Sequence, residues 1–173
     1  VAIGVNSGAA VTTGVENTLI GGLTGDALTQ GARNVAVGKS ALTADTLGQY
    51  AVAIGYAALE AQNFTTATNN YNIGIGYEAG KSISTGAQNT FIGGNAGDIC
   101  TTGSFNTALG KGADVGTGAA SGRIAIGINV TTTANDAISV GAGTSKASLT
   151  LDGSDTSWAA SSDERLKENI AAS

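Results

Sequence analysis

The chain contains no histidine, no proline and no methionine, and it has one cysteine in 173 residues. Each absence removes a class of chemistry. Without histidine there is no Ser-His-Asp or Cys-His catalytic group and no histidine-ligated zinc. The lone Cys100 excludes an intrachain disulfide framework and any multi-cysteine metal centre, and it reads as a small buried thiol. We therefore expect no metal and no cofactor. Lacking methionine, residue 1 does not read as a natural start, and the chain reads as a fragment of a longer one. Charge is also scarce. Eight Lys and Arg are scattered along a chain of net charge −5 and pI about 4.4, so no basic patch exists to hold a nucleic acid. No apolar run reaches the roughly 18–20 residues of a membrane helix. The longest, "YAVAIGYAAL" at 50–59, ends on Glu60. No secretory apolar region opens the chain. We expect no membrane insertion.

What the chain does have is glycine, at regular intervals. The segments "VAIG", "TLIG", "VAVG", "VAIG", "IGIG", "TFIG", "TALG", "IAIG" and "ISVG" end on glycines 4, 21, 38, 55, 76, 93, 110, 127 and 141. Six of the eight spacings are 17; the others are 21 and 14. Asn stands four residues before the glycine at Asn17, Asn34, Asn72, Asn89 and Asn106. Ala stands three after it at Ala41, Ala58, Ala79, Ala96 and Ala113. Each unit thus reads as a turn, a short β-branched strand, glycine, small residues and a polar turn. Asn and Gly tolerate the positive φ of tight turns, whereas Val, Ile and Thr suit a pleated surface.

Units this short cannot fold alone, but stacked units share a core. The expectation is an all-β parallel β-roll or β-helix solenoid, one 17-residue unit per coil, and about 40 Å long at about 4.8 Å per coil. Alternation of Val52 and Ile54 with Ala53 and Gly55 predicts a buried β-branched ladder through Val37, Ile54 and Ile92. The Ala/Gly face is then left to pack against other copies, most simply as a homotrimer. The domain reading is a repeat shaft over 1–144, a neck over 145–160 and a charged junction over 161–173.

The units "NVAVGKSA" (34–41) and "NTALGKGA" (106–113) resemble the head repeats of trimeric autotransporter adhesins and the related repeats of phage tail fibres. That resemblance spans residues 1 to about 144. It implies a trimeric, left-handed parallel β-roll, with longer loops here because the family's usual period is shorter.

Several features invite other readings. "GIGYEAGKS" (74–82) approaches a phosphate-binding loop, but Ile75 stands where its first glycine is required. It reads as an ordinary repeat unit. Tyr56 and Tyr77, each directly after a repeat glycine, read as packing residues, and Trp158 as a plug for the end of a trimer core. The insertion over 60–72 supplies the extra residues of the long spacing. Longer loops on one face of a solenoid often carry binding, so Asn63, Phe64, Asn69, Asn70 and Tyr71 are candidate receptor contacts. A glycan-cutting site needs paired acids in a groove, and Asp152 with Asp155 is the only close acidic pair before the junction.

The chain ends on "SSDERLKENI" (161–170), five charged side chains in ten residues. Ser161 and Glu164 form a capping box, which predicts a helix start. "SDERLKENI" (162–170) also resembles the S-D-x-R-L-K-x-N-I motif that opens the self-cleaving intramolecular chaperones of phage tailspikes and fibres, peptidase family S74. The resemblance implies that Ser162 attacks the carbonyl of Ser161 and that Lys167 is its general base. Asp163, Glu164 and Asn169 are placed to orient the pair. A serine needs such a base, and a lysine needs desolvation to act as one. The chaperone itself needs far more chain than follows Ile170, so no turnover enzyme is expected. The implied protein is the shaft of a trimeric phage tail fibre or tailspike in the virion tail, with a host cell-surface receptor and other virion tail proteins as partners. A bacterial autotransporter adhesin head at the cell surface and a glycan-degrading tailspike are the alternatives.

Overall fold

The computed structural model describes residues 1–151 and the backbone of 159–160. Thirteen strands follow in order: β1 (Ala2–Ile3), β2 (Thr18–Ile20), β3 (Val35–Val37), β4 (Gly48–Gln49), β5 (Val52–Ile54), β6 (Thr68–Asn69), β7 (Ile73–Ile75), β8 (Thr90–Ile92), β9 (Thr107–Leu109), β10 (Ile124–Ile128), β11 (Ala137–Ala142), β12 (Ser145–Thr150) and β13 (Ala159–Ala160). No helix occurs among the described residues. Strands β1, β2, β3, β5, β7, β8, β9, β10 and β11 form one parallel ladder, giving a β-solenoid of about eight turns.

The ladder register follows the glycine spacing. Val35 pairs with Val52, Val52 with Ile73, Ile124 with Ile138, and Gly127 with Gly141. Stacking in register brings equivalent glycines of successive coils together. Gly55 has φ 134°, and a Cβ placed there would stand 2.2 Å from the carbonyl oxygen of Gly76. No side-chain-bearing residue meets both conditions, which is why the glycine recurs.

The two strand faces are assigned opposite to the expected way. Leu19, Ala36, Ala53, Phe91 and Ala108, the central residues of their strands, and Ala125 of β10 are buried inside the coils. Ile54 is 36% exposed, Ile20 37% and Leu109 44%, so the predicted buried ladder of Val37, Ile54 and Ile92 faces outward. The reason is space. The lumen is narrow, and its far wall already supplies large side chains such as Leu28, Leu42, Leu59 and Ile83. Volume is shared coil by coil. Where the strand is Ala36 or Ala53, the residue four past the repeat glycine is Leu42 or Leu59, both buried in left-handed conformation. Where the strand carries Leu19 or Phe91, that position is Gly25 or Gly97. A Cβ at Gly97 would lie 2.4 Å from the Phe91 ring.

The repeat asparagines differ from expectation too. None has positive φ; the residue before each does: Glu16, Arg33, Tyr71, Gln88 and Phe105. The asparagine itself bridges coils through its side chain. Asn34 N–H donates to Asn17 Oδ1 at 2.9 Å, Asn89 N–H to Asn72 Oδ1 at 2.9 Å, and Asn106 N–H to Asn89 Oδ1 at 3.0 Å. Each Nδ2 donates to the next coil's carbonyl, as Asn89 does to Gly103 at 2.9 Å. All five are buried. The side-chain amide thus satisfies a buried donor and a buried acceptor that strand pairing leaves free.

The parallel ladder ends at β11. There β12 turns back antiparallel, Ala142 pairing with Ser145, and β13 pairs antiparallel with β12. Residues 145–150 and 159–160 of the segment expected as a neck therefore belong to the same sheet.

The shared lumen gives a testable coupling. Gly97→Ala combines overpacking against Phe91 with a left-handed alanine (φ 64°), and it is expected to cost about 2–4 kcal/mol. Phe91→Ala alone costs about 3–5 kcal/mol. Chemical denaturation of the double variant is expected to show a loss smaller than the sum of the two.

Candidate functional site

The insertion over 60–72 follows a coil that interrupts the run of asparagines. Ala51 takes the asparagine's place, and its N–H still donates to Asn34 Oδ1 at 2.8 Å, but it offers no side-chain acceptor to the next coil. The inserted residues supply one: Asn72 N–H donates to Asn70 Oδ1 at 2.9 Å. Asn72 Nδ2 then donates to Gln62 Oε1 at 2.9 Å and to the Gly86 carbonyl at 2.7 Å. Gln62 Nε2 donates to Asp45 Oδ2 at 2.7 Å, and Asp45 Oδ1 accepts from the N–H groups of Gly48 and Phe64. Asp45 and Gln62 stand where other coils place Leu28, Ile83 and Cys100 in the core. Burial pushes the Asp45 carboxyl above its ordinary range, and these hydrogen bonds pull it part of the way back. Asn70 Nδ2 is the one buried side-chain donor without a partner among the described residues.

The candidate receptor contacts divide accordingly. Phe64 and Asn70 are buried, Asn63 is half-buried with its Oδ1 accepting from Thr46 Oγ1 at 3.1 Å, and Asn69 and Tyr71 are exposed. Strand β6 beside β4 fixes the returning half of the insertion, pairing Asn69 with Gln49. Ser162, Lys167, Asp163, Glu164 and Asn169, the predicted helix start, Trp158, and the pair Asp152 and Asp155 lie outside the described residues.

Tyr71 belongs to an arrangement that the spacing of the chain could have disclosed. Two residues before each strand, at a left-handed corner, stand Glu16, Arg33, Tyr50, Tyr71, Gln88 and Phe105. Arg33 Nε donates to Glu16 Oε2 at 2.7 Å and Nη1 to the Tyr50 hydroxyl at 2.9 Å, with the guanidinium carbon 5.4 Å from the Tyr50 ring centre. Tyr50 and Tyr71 stack at 5.2 Å. On the other side of the strands Tyr56 and Tyr77 stack at 5.3 Å, nearly parallel at 13°. Each ring therefore spends one face on its partner.

The glycines of 74–82 have structural roles. Gly74 packs under Leu59 and Gly80 under Phe91, while Lys81 Nζ donates to Glu78 Oε1 at 2.9 Å. That hydrogen bond raises the Lys81 pKa and lowers that of Glu78. Nothing here wraps a phosphate. A recess of about 190 Å³ between Val1, Ala2, Val11 and Leu19 is the open lumen at the first coil and lies far from the insertion. No group of three or more His, Cys, Asp or Glu side chains is placed to hold a metal among the described residues. Nor is any helix there long and apolar enough to cross a membrane.

One acidic pair escaped the sequence reading. Asp114 is buried beside Asp98, one coil apart less a residue, and the two carboxyls are hydrogen-bonded. Burial first, then Asp98, pushes Asp114 up to about 7, against the pull of the Val115 N–H. The same surroundings push the Cys100 thiol up to about 11, chiefly by burial.

The chain matches no family model, no curated protein and no solved structure.

Asp114 predicts a pH dependence. Its folded pKa lies above its ordinary value, so the folded state binds more protons than the unfolded one between about pH 4 and 7. The stabilisation is complete below the ordinary value and lost as pH rises through about 7. Thermal melts are expected to show Asp114→Asn raising the melting temperature at pH 8 and flattening the fall between pH 5 and pH 8.

Proposed function

We propose that this chain is a shaft segment of a trimeric phage tail fibre or tailspike, an adhesive rod that ends in a self-cleaving chaperone junction. The observation that carries this is the outward face of the parallel ladder. Its strands contribute two outward residues per coil, and from Val1 and Ile3 to Ile138 and Val140 these are Val, Ile or Leu, interrupted only by Thr18, Thr90 and Thr107. None is charged. The strip is about 40 Å long and roughly 10 Å wide, about 400 Å² of contiguous apolar surface, the size of the largest apolar patch on a typical monomer, and such patches are often interaction sites. Three parallel copies packed on this strip bury it and bring their three C-terminal junctions to one end of the rod. A trimeric chaperone, as the junction's resemblance implies, needs that arrangement.

Receptor contact on the host surface falls to the outward members of the insertion, Asn69, Tyr71 and half-buried Asn63. The virion tail is the matching location, with other tail proteins as neighbours. The glycan-degrading alternative gains nothing from Asp98 and Asp114. Asp114 is buried and its carboxyl sits directly against that of half-buried Asp98, which leaves no room for a sugar or water between the acids.

Light scattering is expected to give three times the 16.8 kDa chain mass; a stable folded monomer would exclude the assembly. Ile54→Asp, on the strip, is expected to yield folded monomers with a β-type circular dichroism spectrum. Ala53→Asp, in the lumen, leaves a charge buried at a cost of several kcal/mol and prevents folding.

The junction has its own test. In the full-length product, intact mass is expected to show cleavage between Ser161 and Ser162 at a rate independent of protein concentration. Ser162→Ala and Lys167→Ala are each expected to leave a longer, uncut chain that still trimerises. Cleavage at another bond, or undiminished cleavage in Ser162→Ala, rules the mechanism out.

A further inference from the structure

The chain has four tyrosines, and all four stand in two adjacent coils at the two borders of the apolar strip. Tyr50 and Tyr71 occupy the corner before β5 and β7; Tyr56 and Tyr77 occupy the corner after them. The chain turns through left-handed residues at both borders, Tyr50 and Tyr71 on one side, Ala57 and Glu78 on the other. Tyr56, Tyr71 and Tyr77 are about half exposed, and Tyr50 is partly so. Each border carries one stacked pair at the same height on the rod.

We propose that these four tyrosines set the axial register between protomers, with the Tyr50–Tyr71 border of one copy meeting the Tyr56–Tyr77 border of the next. The inference rests on the trimer reading above. It answers a difficulty that reading creates. A strip repeated every 17 residues is nearly unchanged by a slip of one coil, about 4.8 Å, so its apolar residues specify register weakly. Something that does not repeat has to break the tie.

The two borders do so by symmetry. In a ring of three parallel copies every interface is heterologous: the leading border of one chain meets the trailing border of its neighbour. Closure requires only that the three slips around the ring sum to zero, so unequal slips remain open to it; in the register without slip, residues of the same coil face each other. Tyr50 then meets Tyr56, and Tyr71 meets Tyr77, in each of three interfaces. A slip of one coil leaves a single tyrosine match. In one direction Tyr71 falls opposite Gly94, and in the other Tyr50 falls opposite Lys39. In register, exposed Phe105 also meets Lys111, a cation beside an aromatic ring. One face of each ring is used within its stack, so contact between chains is left to the outer faces, ring edges and hydroxyls, which suits edge-to-face packing.

Photo-oxidation with a ruthenium tris-bipyridyl complex and persulfate tests this. Each of two adjacent phenols gives up one electron and one proton to the oxidant, and the two phenoxyl radicals couple as dityrosine. Within a chain either stack yields dityrosine fluorescence with the band kept at the monomer position on a denaturing gel. Between chains the link appears as dimer and trimer bands on a denaturing gel. The wild type is expected to show both signals. Tyr50→Phe/Tyr71→Phe and Tyr56→Phe/Tyr77→Phe each keep one intact stack, so each is expected to keep the fluorescence and lose the bands. A trimer by light scattering that gives fluorescence without bands overturns this inference and leaves the trimer standing. Bands that persist in either double variant mean that like borders meet, which also overturns it. A monomer by light scattering removes the trimer reading and this inference together.

Discussion

Everything in this molecule depends on one side-chain arrangement, repeated at five positions: a buried amide that reaches from one coil into the next. A β-solenoid's strands pair well, but the corners between them leave backbone donors and acceptors pointing into a dry interior. Asn17, Asn34, Asn72, Asn89 and Asn106 meet both needs at once, the oxygen taking an N–H and the nitrogen giving to a carbonyl. The run ends at Arg123, whose N–H is the last to be accepted, by Asn106 Oδ1 at 3.0 Å. The left-handed residue before each asparagine strains its backbone by about 1–2 kcal/mol. The ladder compensates by holding the amide in place.

The same constraint explains why the insertion sits where it does. With Ala51 interrupting the ladder, the next coil needs another acceptor, and a longer loop can carry Asn70 inward to provide it. Its polar company, Asp45, Gln62 and Asn72, then displaces the aliphatic core locally. The loop is thus a repair of the stack as well as an outward surface, and its residues divide between the two tasks. Phe64 and Asn70 serve the interior, whereas Asn69 and Tyr71 face outward.

Much of this was legible in the sequence. The glycine spacing predicted the strand register residue by residue, including the long step from Val52 to Ile73 and the short one from Ile124 to Ile138. Alternation showed that the strands have a bulky and a small face, but alternation alone does not say which is inside. That depends on lumen width, which the opposite wall decides through Leu42 and Leu59. The asparagines were recognised by position and assigned the wrong physics, because Asn suits both left-handed turns and side-chain bridging. The Asp98–Asp114 pair was hidden because its separation falls one short of the period, so no column of equivalent positions contains it. Ser162 and Lys167 carry a specific motif, yet they lie outside the described residues.

The direction of the hydrogen bonds has a mechanical consequence. Strands run across the rod, so the bonds between coils lie along its axis and are loaded one after another when the rod is pulled end to end. Such a stack opens by peeling a coil at a time. Each coil occupies about 4.8 Å of rod but holds 17 residues, roughly 55–60 Å of extended chain. Each coil released therefore lengthens about twelvefold at a nearly constant load, and β12, turned antiparallel on the last parallel strand and itself paired with β13, lies over that end of the parallel stack.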